Sequence, residues 1–328
     1  MILVTGATGH IGNVLVRRLL ASGKDVIVLS HMRQPAKVFG DLPIKVRDGD
    51  ITEYSSLKSA FSGIEMVYHL AAKISISSGE LDLLKAINTQ GTANVVKACL
   101  KNCVKRLVYV SSVHALEETP NGVPIIENVP DNLADVWGDY AKSKVLAYKE
   151  VMKGYTKGLD VVVVFPTGVI GPYDHKPSQI GQLITNYLQG KTVNYINGKY
   201  DYVDVRDVVS GIILAAEKGK SGEGYALGGH VLAVNEMLNI LENTSGTKAR
   251  LRKIPLWLAY YASFFAEFFS KLKGEEPVFT PYSVKVLQSN SLISSQKARD
   301  ELGYKVRPVA QTLGDAVAWF RGEKVSIN

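Results

Sequence analysis

The sequence predicts an α/β fold in which a doubly wound parallel sheet is followed by a smaller C-terminal lobe. Through the first half of the chain, short β-rich runs alternate with helical stretches, which is typical of βαβ units. The β-rich runs are apolar throughout, as strands covered by helices on both faces must be. Hydrophobic residues form 46% and charged residues 21% of the 328 residues, so the composition excludes a disordered or fibrous chain.

The predicted strands and helices follow one another in a regular order up to Pro166. The strands are ILVTG, DVIVLS, MVYHLAA, RLVYVSS and DVVVVFP. The helices between them are IGNVLVRRLLASG, SSLKSAFSG, NTQGTANVVKACLKN and DYAKSKVLAYKEVMKGY. Beyond Pro172 the alternation weakens, although the strand YDYVDV and the helix DVVSGIILAAEKG are expected to return to the first domain. We therefore predict a first domain at 1–171 with a return segment at about 196–229, and a lobe formed by 172–195 and 230–328.

A glycine-rich loop, TGATGHIG, joins the first predicted strand to a helix that begins near His10. Glycines at these positions allow a tight turn and a close approach of the backbone to a pyrophosphate, and the helix N-terminus supplies amide N–H groups. Because the loop lies between a strand and a helix, it predicts a Rossmann-type fold with a dinucleotide site. The expected cofactor contacts in this loop are Gly6, Thr8, Gly9, His10, Ile11 and Gly12.

The end of the second strand bears on the choice between NAD and NADP. An NAD site usually has an acidic residue there, whereas this sequence has Ser30, followed by His31 and Arg33. A carboxylate would repel a 2′-phosphate, while Ser30 with Arg33 would bind it, so NADP is favoured and NAD is the alternative. In the segment DGDI, Asp50 is expected to accept a hydrogen bond from the adenine amine and Ile51 to pack on the ring.

Tyr140 and Lys144 in YAKSK are the candidate catalytic pair, because their spacing places both on one face of a helix. Two other Tyr–Lys pairs, at 54/58 and 195/199, share the spacing, but only Tyr140 begins a long helix directly after a strand that ends in paired serines. A free phenol has a pKa near 10, and one positive charge about 5 Å away is worth ~3 kcal/mol, or about two pKa units. We therefore predict that Lys144, together with an oxidised nicotinamide, lowers the pKa of Tyr140 towards neutrality.

The motifs TGATGHIG, DGDI, HLAA, INTQGTANVV, YVSS, YAKSK and PTGVIGP together resemble the extended short-chain dehydrogenases/reductases of the NAD-dependent epimerase/dehydratase superfamily. Later segments, YVDVRDVV, GYALGG and KARDELGY, resemble the dihydroflavonol-4-reductase-like branch, so the resemblance covers nearly the whole chain. It implies that Tyr140 donates or accepts the proton, that Lys144 binds the nicotinamide ribose, and that Ser112 orients the substrate carbonyl. It also implies further cofactor contacts: Leu70, Ala71 and Ala72 along the cofactor channel, and Pro166 and Val169 at the nicotinamide face.

The implied function is that of an NADP-dependent oxidoreductase, a carbonyl reductase or alcohol dehydrogenase acting on a mid-sized, partly apolar small molecule. A nucleotide-sugar epimerase or dehydratase with tightly bound NAD is the first alternative, but Phe165 stands where such enzymes usually carry Asn or Arg. Glu117, in HALEE, replaces the amide of plant flavonoid reductases and argues against a flavonoid substrate. A noncatalytic NADP-sensing protein is the second alternative, although such proteins typically lack the tyrosine or the lysine.

Three polar residues near the predicted site have less specific roles. Asn88 is expected either to support a strand–helix junction near the site or to cap a helix. His69 lies on a predicted core strand, so we expect a hydrogen-bonded interior histidine. His114 follows the paired serines, and we expect it to line the pocket rather than to catalyse.

The net charge of +7 is compatible with nucleic acid, an anionic membrane surface or a phosphorylated ligand. No nucleic-acid motif is present, so part of the excess is assigned to the cofactor phosphates. Cys99 and Cys103 form no metal-binding set and suit a reducing compartment. The start MILV shows no signal peptide, so a cytoplasmic protein is expected. The resemblance implies a homodimer formed through the helix that bears Tyr140.

The segment 254–272, IPLWLAYYASFFAEFFSKL, is richly aromatic and follows the basic stretch KARLRK. Its uncharged run is shorter than the ~20 residues that a membrane-spanning helix needs. Three interpretations remain: a core or lid helix over the active site, a monotopic membrane contact, or a partner interface. Because the segment is apolar all round, we expect it to be buried under the smaller lobe, and a membrane-surface contact is not favoured.

Overall fold

A computed structural model describes residues 1–31, 36–40, 42–273 and 280–328. Its main sheet has seven parallel strands in the order β10-β6-β5-β4-β1-β2-β3. These strands are β1 (Ile2–Thr5), β2 (Val26–Ser30), β3 (Lys45–Asp48), β4 (Met66–His69), β5 (Arg106–Val110), β6 (Val161–Pro166) and β10 (Gly224–Leu227). The predicted doubly wound Rossmann-type sheet is therefore confirmed, with two edge strands, β3 and β10, that were not predicted as strands.

Helices cover both faces of the main sheet. The helices are α1 (His10–Ala21), α2 (Ala36–Phe39), α3 (Tyr54–Ala60), α4 (Leu81–Leu84), α5 (Gly91–Lys101), α6 (Asp139–Tyr155), α7 (Gln179–Leu188), α8 (Val205–Lys218), α9 (Val234–Ser245), α10 (Leu256–Lys273), α11 (Pro281–Val286) and α12 (Val309–Phe320). Shorter helical turns lie at Lys85–Gln90, Val113–Ala115, Leu133–Asp135 and Ala298–Leu302. The π-helical turn Lys85–Gln90 runs directly into α5.

The core of the main sheet follows from the alternation of side chains along each strand. In β6, Val163 and Phe165 belong to the apolar cluster that contains α3, α5 and α6, whereas Val162 and Val164 belong to the cluster that contains α1 and α8. All four side chains are fully buried. A strand buried on both faces has no polar face to show, which is why the predicted strands read as continuous apolar runs.

Two small sheets lie outside the main one. β7 (Gly168–Ile170) pairs in parallel with β9 (Lys199–Asp204), and β9 pairs antiparallel with β11 (His230–Ala233). β8 (Val193–Tyr195) pairs with β12 (Leu251–Lys253). The strand YDYVDV, which is β9, joins the second sheet, where its partners are β7 from the predicted first domain and β11 from the predicted lobe, so its return to the first domain stays a prediction. α8 and β10 do return to the main sheet, and the domain boundaries stay a prediction.

The aromatic helix α10 is not buried as the sequence predicted. Its protein-facing stripe consists of Ala259, Ser263 and Glu267, which are almost completely buried. Trp257, Tyr261 and Phe265 on the outer side are 65%, 62% and 66% exposed. The expectation of burial is therefore wrong for this face. Within the part of the chain that the structure describes, no helix has the combination of length and apolarity needed to cross a bilayer.

Candidate active site

The glycine loop between β1 and α1 is shaped by three different steric demands. Gly6 has φ +69°, and a Cβ atom there would lie 2.5 Å from the backbone nitrogen of Ala71. A Cβ atom at Gly12 would lie 2.3 Å from the carbonyl oxygen of Gly6, so the helix packs tightly on the loop. At Gly9 the nearest atom would be 3.4 Å away, so the loop is open on that side. This open side gives a ligand close access to the backbone.

The N-terminus of α1 fits an anionic group. Gly9 is its N-cap and provides no side-chain cap, and the first turn has no acidic residue. The first amides of α1, those of His10, Ile11 and Gly12, have no partner within the helix and carry the positive end of its dipole. Thr8 is exposed beside them. With the open side at Gly9, this geometry fits the diphosphate of a dinucleotide.

The histidine at the start of α1 turns away from the loop. The His10 Nε2 atom lies 2.9 Å from the carbonyl oxygen of Pro172. Burial lowers its pKa, although Asp174 acts in the opposite direction. The side chain of His10 therefore connects the phosphate loop to the segment that follows β7, and it is the backbone of His10 that faces the predicted phosphate site.

The predicted adenosine contacts lie at the ends of β2 and β3. Ser30 ends β2 and is buried, and the exposed His31 follows it. Arg33 lies outside the described residues. The Asp50 Oδ1 atom accepts hydrogen bonds from the amide and hydroxyl of Thr52 at 2.8 and 2.7 Å. Ile51 is buried against Gly91, where a Cβ atom would lie 2.8 Å from its Cδ1 atom.

A buried hydrogen-bond chain supports the cofactor channel. The His69 Nδ1 atom lies 2.7 Å from the hydroxyl of Thr5, and its Nε2 atom lies 3.0 Å from the hydroxyl of Thr92. The Thr5 hydroxyl also accepts hydrogen bonds from the amides of Leu70 and Ala71, both at 3.2 Å. Burial is the main cause that lowers the pKa of His69 to about 3, so this imidazole is neutral. His69 is the interior histidine that the sequence predicted.

The three candidate catalytic residues come together at the end of β5. Ser112 follows β5 and lies beside Tyr140, the second residue of α6. One turn along α6, the Lys144 Nζ atom donates to the carbonyl oxygen of Val110 at 3.1 Å. It also lies 5.0 Å from the centre of the Tyr109 ring. Adjacent to this group, the hydroxyl oxygen of Ser111 is buried without a hydrogen-bond partner among the described residues.

Burial determines the pKa values of this group in the protein alone. It raises the pKa of Tyr140 to about 12, although the neighbouring Ser112 hydroxyl acts to lower it. Burial also lowers the pKa of Lys144 to about 7. The predicted lowering of the Tyr140 pKa, which needs Lys144 together with an oxidised nicotinamide, stays a prediction. Both groups are removed from water, and removal from water disfavours the charged form of each.

Asn88 holds the segment of the predicted cofactor channel in place and does not cap a helix. It is buried inside the π-helical turn, and its Oδ1 atom accepts from the amide of Lys73 at 2.8 Å. Its Nδ2 atom donates to the Lys73 carbonyl at 2.9 Å and to the Ser143 hydroxyl at 3.0 Å. Asn88 therefore ties the segment after β4, which includes Ala72, to the helix of Tyr140 and Lys144. This contact crosses 55 positions in sequence, and no local pattern indicates Ser143 as its partner.

A cavity of about 300 Å³ opens at Tyr140. Trp137 and Tyr282 line it on one side, and Phe264 and Glu267 of α10 line it on another. The Glu267 Oε1 atom accepts from the amide and the hydroxyl of Ser78 at 2.7 and 2.5 Å, which anchors α10 to the loop before α4. Phe264 and Glu267 belong to the segment 254–272, for which a lid over the active site was one interpretation, whereas no local pattern indicated Trp137 and Tyr282.

A second cavity, of about 170 Å³, adjoins the first at Trp137 and Tyr282. His114 lines it, as the sequence predicted, between two phenols: Tyr200 at 3.0 Å from Nε2 and Tyr282 at 3.3 Å from Nδ1. Burial lowers the pKa of His114 to about 4, so the ring is neutral. A neutral imidazole can donate at one nitrogen and accept at the other, which matches its two phenol partners.

The remaining predicted positions lie where the main sheet meets the second sheet. Pro166 ends β6 and pairs in register with Leu227 of β10, and the half-buried Val169 lies in β7. Phe165 is fully buried against Tyr148 of α6, with ring centres 6.0 Å apart. Its side chain is therefore part of the core rather than of the cavity walls.

The fold, the loop and the Ser–Tyr–Lys group define the class of an NAD(P)-dependent enzyme on a Rossmann-type sheet. Residues 2–228 match the model of the NAD dependent epimerase/dehydratase family. The chain belongs to this family, within the extended short-chain dehydrogenases/reductases.

Relatives and solved structures include both reductases and dehydratases. The chain is 32% identical to "Sterol demethylase protein B" of Methylococcus capsulatus, over 97% of this chain and 98% of the relative. It is 31% identical to "Putative dihydroflavonol 4-reductase" of Synechocystis, over 97% and 94%. The crystal structure of gox2253 is similar with a TM-score of 0.83 and 32% identity, over 98% of both chains. That of the Streptomyces venezuelae dTDP-glucose 4,6-dehydratase DesIV, with NAD and DAU bound, has a TM-score of 0.78 and 26% identity, over 98% and 97%.

Proposed function

We propose that the protein is an NADP-dependent carbonyl reductase or alcohol dehydrogenase that acts on a mid-sized, partly apolar substrate. The observation that carries this proposal is that Tyr140, with Ser112 beside it, lines a cavity that also has three aromatic side chains in its walls. Trp137, Phe264 and Tyr282 offer apolar contact to a substrate. The pair offers a proton and a second hydrogen bond to a carbonyl oxygen.

The chemistry assigns one task to each polar side chain. A bound nicotinamide would supply the hydride that adds to the carbonyl carbon. The Tyr140 hydroxyl donates its proton to the carbonyl oxygen, which becomes the alcohol hydroxyl. The Ser112 hydroxyl hydrogen-bonds the same oxygen while negative charge develops on it. The Lys144 ammonium lies one helical turn from the tyrosine, where its positive charge favours the phenolate left after proton transfer.

NADP is proposed as the cofactor because the end of β2 is not acidic. In an NAD site an acidic residue usually binds the ribose at this position, and its carboxylate would repel a 2′-phosphate. This chain has Ser30 and His31 there instead. Calorimetric titration of the protein with NADPH and with NADH tests this choice. We expect NADPH to bind more tightly, and tighter binding of NADH would contradict the assignment.

Relatives support the reductase side of the family. Besides the putative dihydroflavonol 4-reductase, the chain is 28% identical to "Cinnamoyl-CoA reductase 1" of Oryza sativa, over 97% of this chain and 89% of the relative. These names indicate reduction of a carbonyl next to an apolar group. A cytoplasmic location and a homodimer remain part of the proposal.

A nucleotide-sugar epimerase or dehydratase is the second candidate. The observation that favours it is the similarity to the NAD-bound dTDP-glucose 4,6-dehydratase. Such an enzyme reduces and reoxidises its cofactor within one turnover, so it keeps NAD bound. Denaturing the purified protein and analysing the released nucleotide tests this candidate. Stoichiometric NAD would favour the epimerase or dehydratase, whereas rapid exchange with added NADPH would favour the reductase.

A further inference from the structure

The outer face of α10 departs from ordinary helix packing. A surface helix normally turns its apolar side chains inward. α10 turns a stripe of small or polar side chains inward and leaves large apolar ones outside. We call the exposed set the α10 face: Leu256, Trp257, Leu258, Tyr260, Tyr261, Phe264 and Phe265. A contiguous exposed apolar patch of this kind marks an interaction surface.

A cationic segment lies directly before this face. Arg250, Arg252 and Lys253 are exposed, and the last two belong to the short strand β12, which ends three residues before α10 begins. In the described part of the chain, none of these three forms an ion pair within 4.0 Å. Aromatic side chains next to exposed cations are the composition of helices that lie in the interface of an anionic bilayer.

The α10 face is also continuous with the mouth of the cavity at Tyr140. Phe264 belongs to the α10 face and at the same time lines that cavity. Trp137, 44% exposed, lines the same cavity. Ile74, 70% exposed, precedes the cavity-lining residue Ser75. A surface that contacts the α10 face therefore lies beside the entrance of the active site.

We propose that α10 docks the enzyme on the surface of an anionic lipid bilayer, with the mouth of the active-site cavity turned towards the lipid. Charge complementarity favours an anionic bilayer over a second copy of the chain as the partner of the α10 face. In a two-fold dimer through the same face, the cationic segments of the two copies would share one interface, where like charges repel. An anionic lipid surface attracts them. The docking does not depend on which reaction the site performs.

Vesicle co-sedimentation tests the docking. We expect the protein to bind vesicles of equimolar phosphatidylcholine and phosphatidylglycerol, to bind pure phosphatidylcholine vesicles weakly, and to be released by salt. The double variant Arg250→Gln/Arg252→Gln should bind the anionic vesicles about 30-fold more weakly, because each cation near such a surface contributes a factor of about five. The triple variant Trp257→Ser/Tyr261→Ser/Phe265→Ser should lose binding.

Tyr155→Ser is the matched control for the aromatic variant. Tyr155 is 41% exposed and ends α6, the helix that begins beside the cavity with Asp139, so it lies a full helix length from the mouth. This variant should bind vesicles like the wild type. Equal binding by the wild type and the triple variant would overturn the proposal. So would a dimer of the wild type in size-exclusion chromatography that the triple variant breaks, with no vesicle binding by either.

The orientation of the mouth is tested with the three tryptophans, Trp137, Trp257 and Trp319. Three single-tryptophan variants are made by changing the other two to Phe, and their fluorescence is quenched with brominated lipid in the anionic vesicles. We expect strong quenching of Trp257, measurable quenching of Trp137, and none of Trp319, which packs against Tyr173 and His175. Equal quenching of all three, or quenching of Trp319 alone, would contradict the proposed orientation.

Discussion

The helices α6 and α10 contribute walls to the same cavity, have nearly equal lengths of 17 and 18 residues, and follow opposite packing rules. α6 turns Tyr140, Lys144 and Val145 into the protein and leaves charged residues outside. α10 turns Ala259 and Ser263 inward and leaves aromatic residues outside. The difference teaches that burial on α6 removes two titratable groups from water, as the proposed proton transfer uses, whereas α10 leaves an apolar face exposed for the proposed contact with lipid.

The largest effect is expected from Tyr140→Phe on the α6 side. Removal of the hydroxyl should lower turnover by about 10³-fold, because positioned acid–base groups contribute 10² to 10⁴. Binding of NADPH, measured by calorimetry, should stay within about threefold of the wild type. Tyr148→Phe, the same change on the same helix at a half-buried position against Phe165, is the control and should keep its activity.

Lys144→Met separates the function of α6 from its stability. Its pKa is 10.5 as a free group and about 7 in the fold, so the unfolded chain binds this proton more tightly. The ammonium therefore destabilises the fold fully below pH 7, and the penalty fades as the pH rises from about 7 to 10.5. The variant should lose activity yet gain up to about 4 kcal/mol of unfolding free energy at pH 7.

The pH dependence of that gain, followed by urea unfolding, distinguishes the titration of Lys144 from a packing effect. The advantage of the variant over the wild type should shrink between pH 7 and pH 10.5. An advantage that stays constant over this range would assign the effect to packing alone.

The glycine loop provides a matched pair of substitutions. Gly12→Ala should cost about 1–3 kcal/mol, because the new methyl group would meet the Gly6 carbonyl at 2.3 Å. Gly9→Ala should change the unfolding free energy by less than about 0.5 kcal/mol, since nothing lies closer than 3.4 Å. Gly9→Ala should nevertheless weaken NADPH binding by about tenfold. If Gly9→Ala leaves cofactor binding unchanged, the phosphate does not bind at the open side of the loop.

The smallest effect, and the sharpest contrast with α6, is expected within α10. Phe265→Ser should change the unfolding free energy by less than about 0.5 kcal/mol, because the ring is 66% exposed. Ser263→Phe should cost about 1–3 kcal/mol, because the serine is fully buried and the larger side chain has no room. Thermal unfolding of both variants checks the pair, and a larger loss for Phe265→Ser would mean that the aromatic face is packed after all.

Local patterns predicted the parts of the structure in which local and tertiary forces agree. The inner strands were predicted correctly because a parallel strand covered on both faces is apolar along its whole length. The loop at Gly6 was predicted correctly because its glycines lie between the first strand and the first helix. β3 escaped prediction because Lys45–Asp48 is an edge strand that pairs only with β2 and leaves most of its side chains exposed. The burial of α10 under the smaller lobe was predicted wrongly, because the apolarity of a segment indicates that its surface is covered but does not show whether the same chain or another partner covers it.

The candidate site shows the same division. Tyr140 and Lys144 are neighbours on one helix, and a spacing rule finds them. Trp137, Tyr200 and Tyr282 gather around His114 from three distant segments, and only the tertiary fold brings them together. The lowered pKa of Lys144 also depends on the tertiary fold, because burial removes the ammonium from water.

The central claim is that Tyr140 gives a proton to a carbonyl that receives a hydride from a nicotinamide. The most direct measurement follows NADPH fluorescence during incubation with a panel of apolar aldehydes and ketones, for the wild type and Tyr140→Phe in parallel. We predict carbonyl-dependent loss of NADPH fluorescence with the wild type and almost none with Tyr140→Phe. Equal rates for the two proteins, or no carbonyl-dependent oxidation by the wild type across the panel, would contradict the claim.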